Sequence, residues 1–202
     1  MRLTLVITGA VAAVLVGLGA GWVSAMPVIP YVATDRLWNR FISRGSQINV
    51  LSPTIVRDAR RNSVPRDNAD TLTRSAIIDL ADGPQVFEVQ VPTAAEYWSV
   101  SLFAHNTDTF FVANDARTGP GSFRLLIRRP GQSASEEKFD AVAISPTRKA
   151  FLIIRAVMTD RNDPAAVARL DAQVKLARLD PVAAAANRLP AASSQDDAAS
   201  AP

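Results

Sequence analysis

The sequence predicts a mainly β protein: an antiparallel β-sandwich or partly open barrel of about seven strands with one C-terminal helix, preceded by a single N-terminal transmembrane helix. Three observations carry this. The chain opens on a long run without charge, hydrophobicity alternates with period two from Ser75 onward between closely spaced turn-formers, and the period then lengthens to that of an amphipathic helix. A chain of 202 residues has room for one core of ordinary size with appendages. The expected division is an anchor or signal peptide over 1–26, an amphipathic juxtamembrane helix over 33–45 and a connector over 46–65. A β-rich domain over 66–180 and an alanine-rich, disordered tail over 181–202 follow.

The first element is "LTLVITGAVAAVLVGLGAGWVSA", 23 residues with no charge, long enough at about 1.5 Å per residue to cross a hydrocarbon layer of roughly 30 Å. A signal peptide would have a shorter apolar region, and "VSA" at Val23 to Ala25 offers a small-residue cleavage site. The retained anchor is favoured because the apolar run continues through Val28, Ile29, Tyr31 and Val32. Gly9, Ala13, Gly17 and Gly21 recur every four residues and put small side chains on one face, where a second copy of the helix can approach.

The second element is "TDRLWNRFISRG", Thr34 to Gly45. Thr34 or Asp35 can cap a helix, Leu37 with Phe41 and Trp38 with Ile42 form apolar pairs, and Arg36, Arg40 and Arg44 form a basic stripe. Two readings stand: a collar on the lipid headgroups with Trp22, Tyr31 and Trp38 as interfacial anchors, or a helix packing its apolar face onto the domain.

The β region follows an aperiodic, basic stretch with turns near Ser52-Pro53 and Val64-Pro65. Strands are expected at Ser75 to Leu80, Val86 to Val91, Tyr97 to His105, Phe110 to Ala113, Ser122 to Arg128, Phe139 to Ile144 and Lys149 to Val157. Turn-formers such as Asp82-Gly83-Pro84, "TGPG" and Pro130-Gly131 separate them. Trp98, Val100, Leu102 and Ala104 share one face of their strand. The segment "KAFLIIRAV" is apolar on both faces apart from Arg155, so it is expected centrally, with Arg155 held by a carboxylate. In "NDPAAVARLDAQVKLARLD", Asp163 caps a closing helix and Pro164 begins it.

Composition narrows the functional classes. There is no cysteine and one histidine, His105, which removes thiolate chemistry and the usual zinc sites, and no cofactor is expected. The net charge of +3 lacks the clustered basic face of a nucleic-acid binder. Asp67, Asp70 and Asp79 stand in "RDNADTLTRSAIID", but Asp67 and Asp70 precede the first long strand, where turn carboxylates belong, while Asp79 alternates with Ile77. Their spacing does not pair them for acid–base work. His105, Asp108, Asp115 and Arg155 remain as a polar group expected together at one end of the sandwich, with His105 the candidate to act near neutral pH.

"RDNADTL", "IIDLADGP", "YWSVSLF", "TGPG" and "LIIRAVMTDRNDPAAVARLDAQVKLARL", in this order, resemble the bacterial domain of unknown function 1254 over roughly Arg66 to Leu179. The resemblance implies a β-rich envelope or exported domain with no established activity, followed in longer members by a second β-domain, the domain of unknown function 1214. It carries over Asn68, Asp70, Asp79, Gly83, Pro84, Trp98, Gly121 and Arg155, most of them suited to turn, core or ion-pair roles. The chain departs from the pattern at Asn68-Ala69-Asp70-Thr71, carries an apolar leader, and stops where the second domain would begin. Three arginines after the span against Arg2 before it would keep the domain inside the cell, whereas the resemblance favours export. The expectation is therefore an inner-membrane, single-pass protein with a non-catalytic periplasmic β-domain. Its partners would be the bilayer, a protein carrying the complementary second domain, and a second copy through the membrane helix, not nucleic acid. The alternative is a small-ligand-binding or hydrolytic domain using a polar site near His105.

Overall fold

The computed structural model describes residues 2–56, 68–136 and 138–186. Asp67, the Val64-Pro65 turn and the tail beyond Ala186 lie outside them. The chain begins with helices α1 (Arg2–Ala25) and α2 (Ile29–Ser43), then strands β1 (Ile55–Val56), β2 (Thr71–Asp79), β3 (Gln85–Gln90), β4 (Ala95–Ala104) and β5 (Thr109–Asn114). A single turn of helix, α3 (Asp115–Thr118), leads to β6 (Ser122–Arg128), β7 (Ala141–Ile144) and β8 (Lys149–Met158). Helix α4 (Pro164–Lys175), β9 (Arg178–Pro181) and α5 (Val182–Ala186) complete the described chain.

The strands form two stacked sheets with no closed barrel: a five-stranded sheet in the order β1-β2-β8-β4-β5 and a four-stranded sheet in the order β7-β6-β3-β9. Period two puts one face of each sheet into a shared core. Leu72, Ala76 and Ile78 of β2, Leu152 and Ile154 of β8, and Trp98, Val100 and Leu102 of β4 meet Phe87, Val89, Leu125 and Ile127 there. The alternation read from β4 is thus the alternation observed.

The described residues hold nine strands, against the roughly seven expected. β1 is two residues on the edge of β2, within the stretch read as an aperiodic connector, where Ile48 also bridges to Ile77. β9 occupies residues whose apolar spacing, "KLARL", continues that of the closing helix and predicts helix there. β7 pairs parallel with β6, so the four-stranded sheet is mixed rather than antiparallel. The closing helix is followed by a second short one, α5, over residues expected in the tail.

β8 is central, pairing β2 from Thr71↔Val157 to Asp79↔Lys149 and β4 on its other side. Arg155 is exposed on the outer face between Thr73 and Ser99 rather than buried, and among the described residues it has no ion-pair partner. A strand that is central in a sheet is still half open to water where nothing covers its outer face.

α2 covers the Ile77, Phe103 and Phe151 end of that outer face. It starts at Ile29, earlier than expected, since Pro30 stands in the first turn where its missing N–H costs nothing. Thr34 and Asp35 consequently lie inside the helix rather than at its cap. Trp38 is 6% exposed and packs with Ile77 and Phe151, with Phe41 and Phe103 beside them. The helix is therefore bound to the sheet through Trp38 and Phe41, and Trp38 is a buried contact rather than a membrane-interface anchor. Leu37 and Ile42, assigned to the apolar pairs, are exposed.

α4 lies across the end of the core with Leu170 and Val174 buried, capped by Asp163, whose Oδ1 accepts from Ala165 N at 2.8 Å. Its other end is closed by Arg74 of β2. Arg74 Nη1 donates to the carbonyl oxygens of Val174, Lys175 and Ala177, and Nε donates to Ser52 O. Burial lowers the Arg74 pKa from its ordinary value, with Asp171 opposing the shift, and the guanidinium serves as a fixed cation on orphan helix carbonyls. Nothing in the local sequence announces this contact.

Candidate functional site

The carboxylates Asp70, just before β2, and Asp79, at its far end, are nine residue steps or about 30 Å apart. Asp70 sits in the turn before the strand, where Asn68 Oδ1 accepts from its N–H at 3.0 Å and its carbonyl accepts from Met158 N. Among the described residues its carboxylate has one ion-pair contact, to Arg161 at 3.9 Å. Asp79 pairs with Arg148 at 3.0 Å and its Oδ1 accepts from Ala81 N, while Asn49 brackets its backbone. Both are turn and edge residues.

The polar group proposed at one end of the sandwich is also divided. Arg155 faces Ser99, and Ser99 faces Asn114, so Arg155 and Asp115 belong to one end of the sheet. His105 follows β4 at the other end, roughly 20 Å from Ser99. Asp108 is occupied in the turn there, accepting from Asn106 Nδ2 at 2.6 Å, and its carbonyl accepts from Ala104 N. Gly83 and Gly121 hold φ of 129° and 110°, conformations that side chains rarely adopt, which fits the turns flanking Pro84 and β6. Trp98 is 1% exposed in the core, and its indole N–H has no partner.

Residues that the structure does bring together centre on Asp35, which sequence reading treated as a cap. His105 Nε2 donates to Asp35 Oδ1 at 2.9 Å, and Lys149 Nζ donates to the same oxygen at 2.8 Å. Because a carboxylate only accepts, Nε2 carries the proton. Tyr31 meets the His105 ring edge to face with centroids 5.1 Å apart, and Lys149 lies 5.1 Å over the ring of Trp38. The Thr34 hydroxyl reaches the carbonyl oxygen of His105, and His105 N donates to Thr147 Oγ1 at 2.9 Å. The Lys149 ammonium holds the Asp35 carboxyl below its ordinary range; desolvation opposes this and His105 reinforces it.

The result is a charge-assisted clasp that fastens α2 to the end of β4 and β8. Among the described residues the His105 ring is hydrogen-bonded to Asp35 alone, and the nearby hydroxyls of Thr34 and Thr147 are engaged with backbone. Among the same residues no group of three His, Cys, Asp or Glu side chains could hold a metal ion. An open depression of about 480 Å³ lies elsewhere, on the loop lined by Arg128, Gln132 and Glu136.

The remaining candidates lie on the two N-terminal helices. Trp22 is exposed on α1, as are Gly9, Ala13, Gly17 and Gly21. Tyr31, Arg36 and Arg40 are exposed on α2, as is Arg44 at its C-cap, and Phe41 is half-buried. One helix among the described residues, over Ile7–Ala25, is long and apolar enough to cross a membrane, a property shared by anchors and signal sequences.

Comparison with solved structures finds the VPA0106 protein of Vibrio parahaemolyticus, with a TM-score of 0.61 at 16% identity over 80% of this chain and 37% of that one. A Burkholderia cenocepacia protein matches at a TM-score of 0.43 and 15% identity, over 55% of this chain and 32% of the other. This chain thus spans about a third of the length of each, and the first likeness shows the fold. No curated protein matches. A family profile described as a protein of unknown function, DUF1254, matches residues 48–178, which run from the Ile48 bridge to the start of β9. On that match the chain belongs to the DUF1254 family.

Proposed function

We propose that this protein is a single-pass inner-membrane protein whose periplasmic sandwich is a non-catalytic module that docks a second protein. The observation that carries the reading is the first edge of the five-stranded sheet. Ile48, Val50, Ile55 and Val56 follow one another along it and are 43 to 47% exposed. Exposed apolar side chains along a sheet edge, on both of its faces as at Ile55 and Val56, are a ready template for association unless something covers them. The anchor reading draws on Ile7–Ala25, whose 19 residues would span roughly 28 Å. The complementary protein is pictured as the second β-domain expected from the longer members of the family; the VPA0106 chain, 37% of which is matched here, is long enough to hold such a part.

The alternative is a small-ligand or hydrolytic site at His105, and the carboxylate orienting its ring is the observation in its favour. The ring's engagement in fastening α2 weighs against it, because a general base must be free to face a substrate.

Purification of tagged full-length protein from native membranes in mild detergent tests the proposal, beside the variant Val50→Ser/Val56→Ser. The expected result is a stoichiometric companion that is lost from the variant, with the chain beginning at Met1. Equal recovery with both proteins, or no companion at all, would overturn it. A chain beginning at Met26 would replace the anchor with a cleaved signal.

A further inference from the structure

We propose that the outward face of α2 docks on an anionic lipid bilayer and so holds the sandwich with its five-stranded sheet toward the membrane. The inference rests on the anchored reading of α1. It begins from the orientation of α2 about its own axis. Trp38 points into the sheet, and at 100° per residue Arg36 and Arg40 each lie about 160° away from it, with Arg44 beside them. All three are exposed, and among the described residues none has an ion-pair partner. The one carboxylate of the helix, Asp35, is turned the other way and engaged by Lys149 and His105. Every charged group on the outward face of its second half is therefore cationic.

Its first half is apolar. Ile29 is 58% exposed and Val32 44%, and they continue the exposed apolar surface of α1 across a turn of only three residues, Met26 to Val28. An apolar half next to the span followed by guanidinium groups on the same face matches the order met on leaving a bilayer, acyl boundary first and phosphates second. The other face of α2 is fixed to the sheet by Trp38, Phe41 and the Asp35 clasp, so the sandwich follows the helix. The four-stranded sheet is then left facing away from the lipid.

The natural chain has no cysteine, so single labels are clean. Full-length protein carrying a fluorophore at Ser43→Cys on α2, or at Gln90→Cys on the exposed end of β3, is placed in nanodiscs containing headgroup spin-labelled lipid. Phosphatidylglycerol and phosphatidylcholine discs are compared. The expected result is strong quenching at Ser43 in phosphatidylglycerol, weaker quenching in phosphatidylcholine, and little at Gln90 in either. Each arginine near an anionic surface shifts the docked population about fivefold, so Arg36→Gln/Arg40→Gln/Arg44→Gln should shift it by roughly a hundredfold. Quenching at Ser43 that ignores lipid charge, or is matched at Gln90, overturns the inference while the anchor stands. Protein that does not stay with the discs overturns both. The lipid comparison decides the matter even if the triple variant fails to fold.

Discussion

Replacing Trp38 with alanine should release α2 without unfolding the sandwich. Trp38 is 6% exposed, meets Phe151 edge to face at 5.8 Å and supports Lys149 over its ring. Truncating a buried aromatic costs about 3 to 5 kcal/mol in protein cores. Here the site lies on the outer face of the five-stranded sheet and opens no void between the sheets, so most of that loss falls on the docking equilibrium of α2. Near the lower end of the range the opening constant of the helix rises by roughly 10² to 10³. The assay is hydrogen exchange of full-length protein in detergent, read at Thr34 to Phe41 and at β8, with trypsin cleavage after Arg36 and Arg40 as a second readout. Exposed Leu37→Ala serves as the control and should change little. Unchanged α2 protection in Trp38→Ala would refute the reasoning, as would protection lost equally from α2 and β8.

Other outcomes follow from the same geometry. Arg74→Ala removes a cation from the carbonyls of Val174 and Lys175 in the last turn of α4 and of Ala177 just past it, and should lower stability by about 2 to 3 kcal/mol in urea denaturation; Arg74→Lys should recover little, because an ammonium cannot serve the same spread of acceptors. Thr107 adopts φ of 74° in the β4–β5 turn, so Thr107→Gly should raise thermal stability by about 1 kcal/mol, and a loss would contradict strain there. The folded pKa of Asp35 lies below its unfolded value, so its contribution to docking is fully present above about pH 4 and disappears as pH falls through the folded pKa. Hydrogen exchange of α2 across that range should show the loss on acidification only, and Asp35→Asn should abolish the dependence.

What the sequence disclosed depended on how local each cause is. The strands with one face on the core showed their period, and Trp98, Val100 and Leu102 could be placed by alternation alone. β9 could not, because Leu176 to Leu179 keeps helical spacing and the helix is ended at Lys175 by Arg74, about a hundred residues earlier in the chain. Arg155 misled because apolar neighbours on both sides suggested full burial, whereas α2 covers only the Phe151 end of β8. α2 itself is apolar at Leu37, Trp38, Phe41 and Ile42, so its inward face could not be chosen from pattern. The clasp was invisible for a related reason: Asp35, His105 and Lys149 are brought together only by the register of β4 on β8 and the docking of α2.

The central claim, a sandwich that docks a partner along its first sheet edge, is tested most directly by photo-crosslinking in living cells. A photoreactive side chain at Val50, on the exposed edge, should give one discrete adduct with a second protein, while the same group at Gln90, on β3 of the other sheet, should give none. No adduct from Val50, or the same adducts from both positions, would contradict the account.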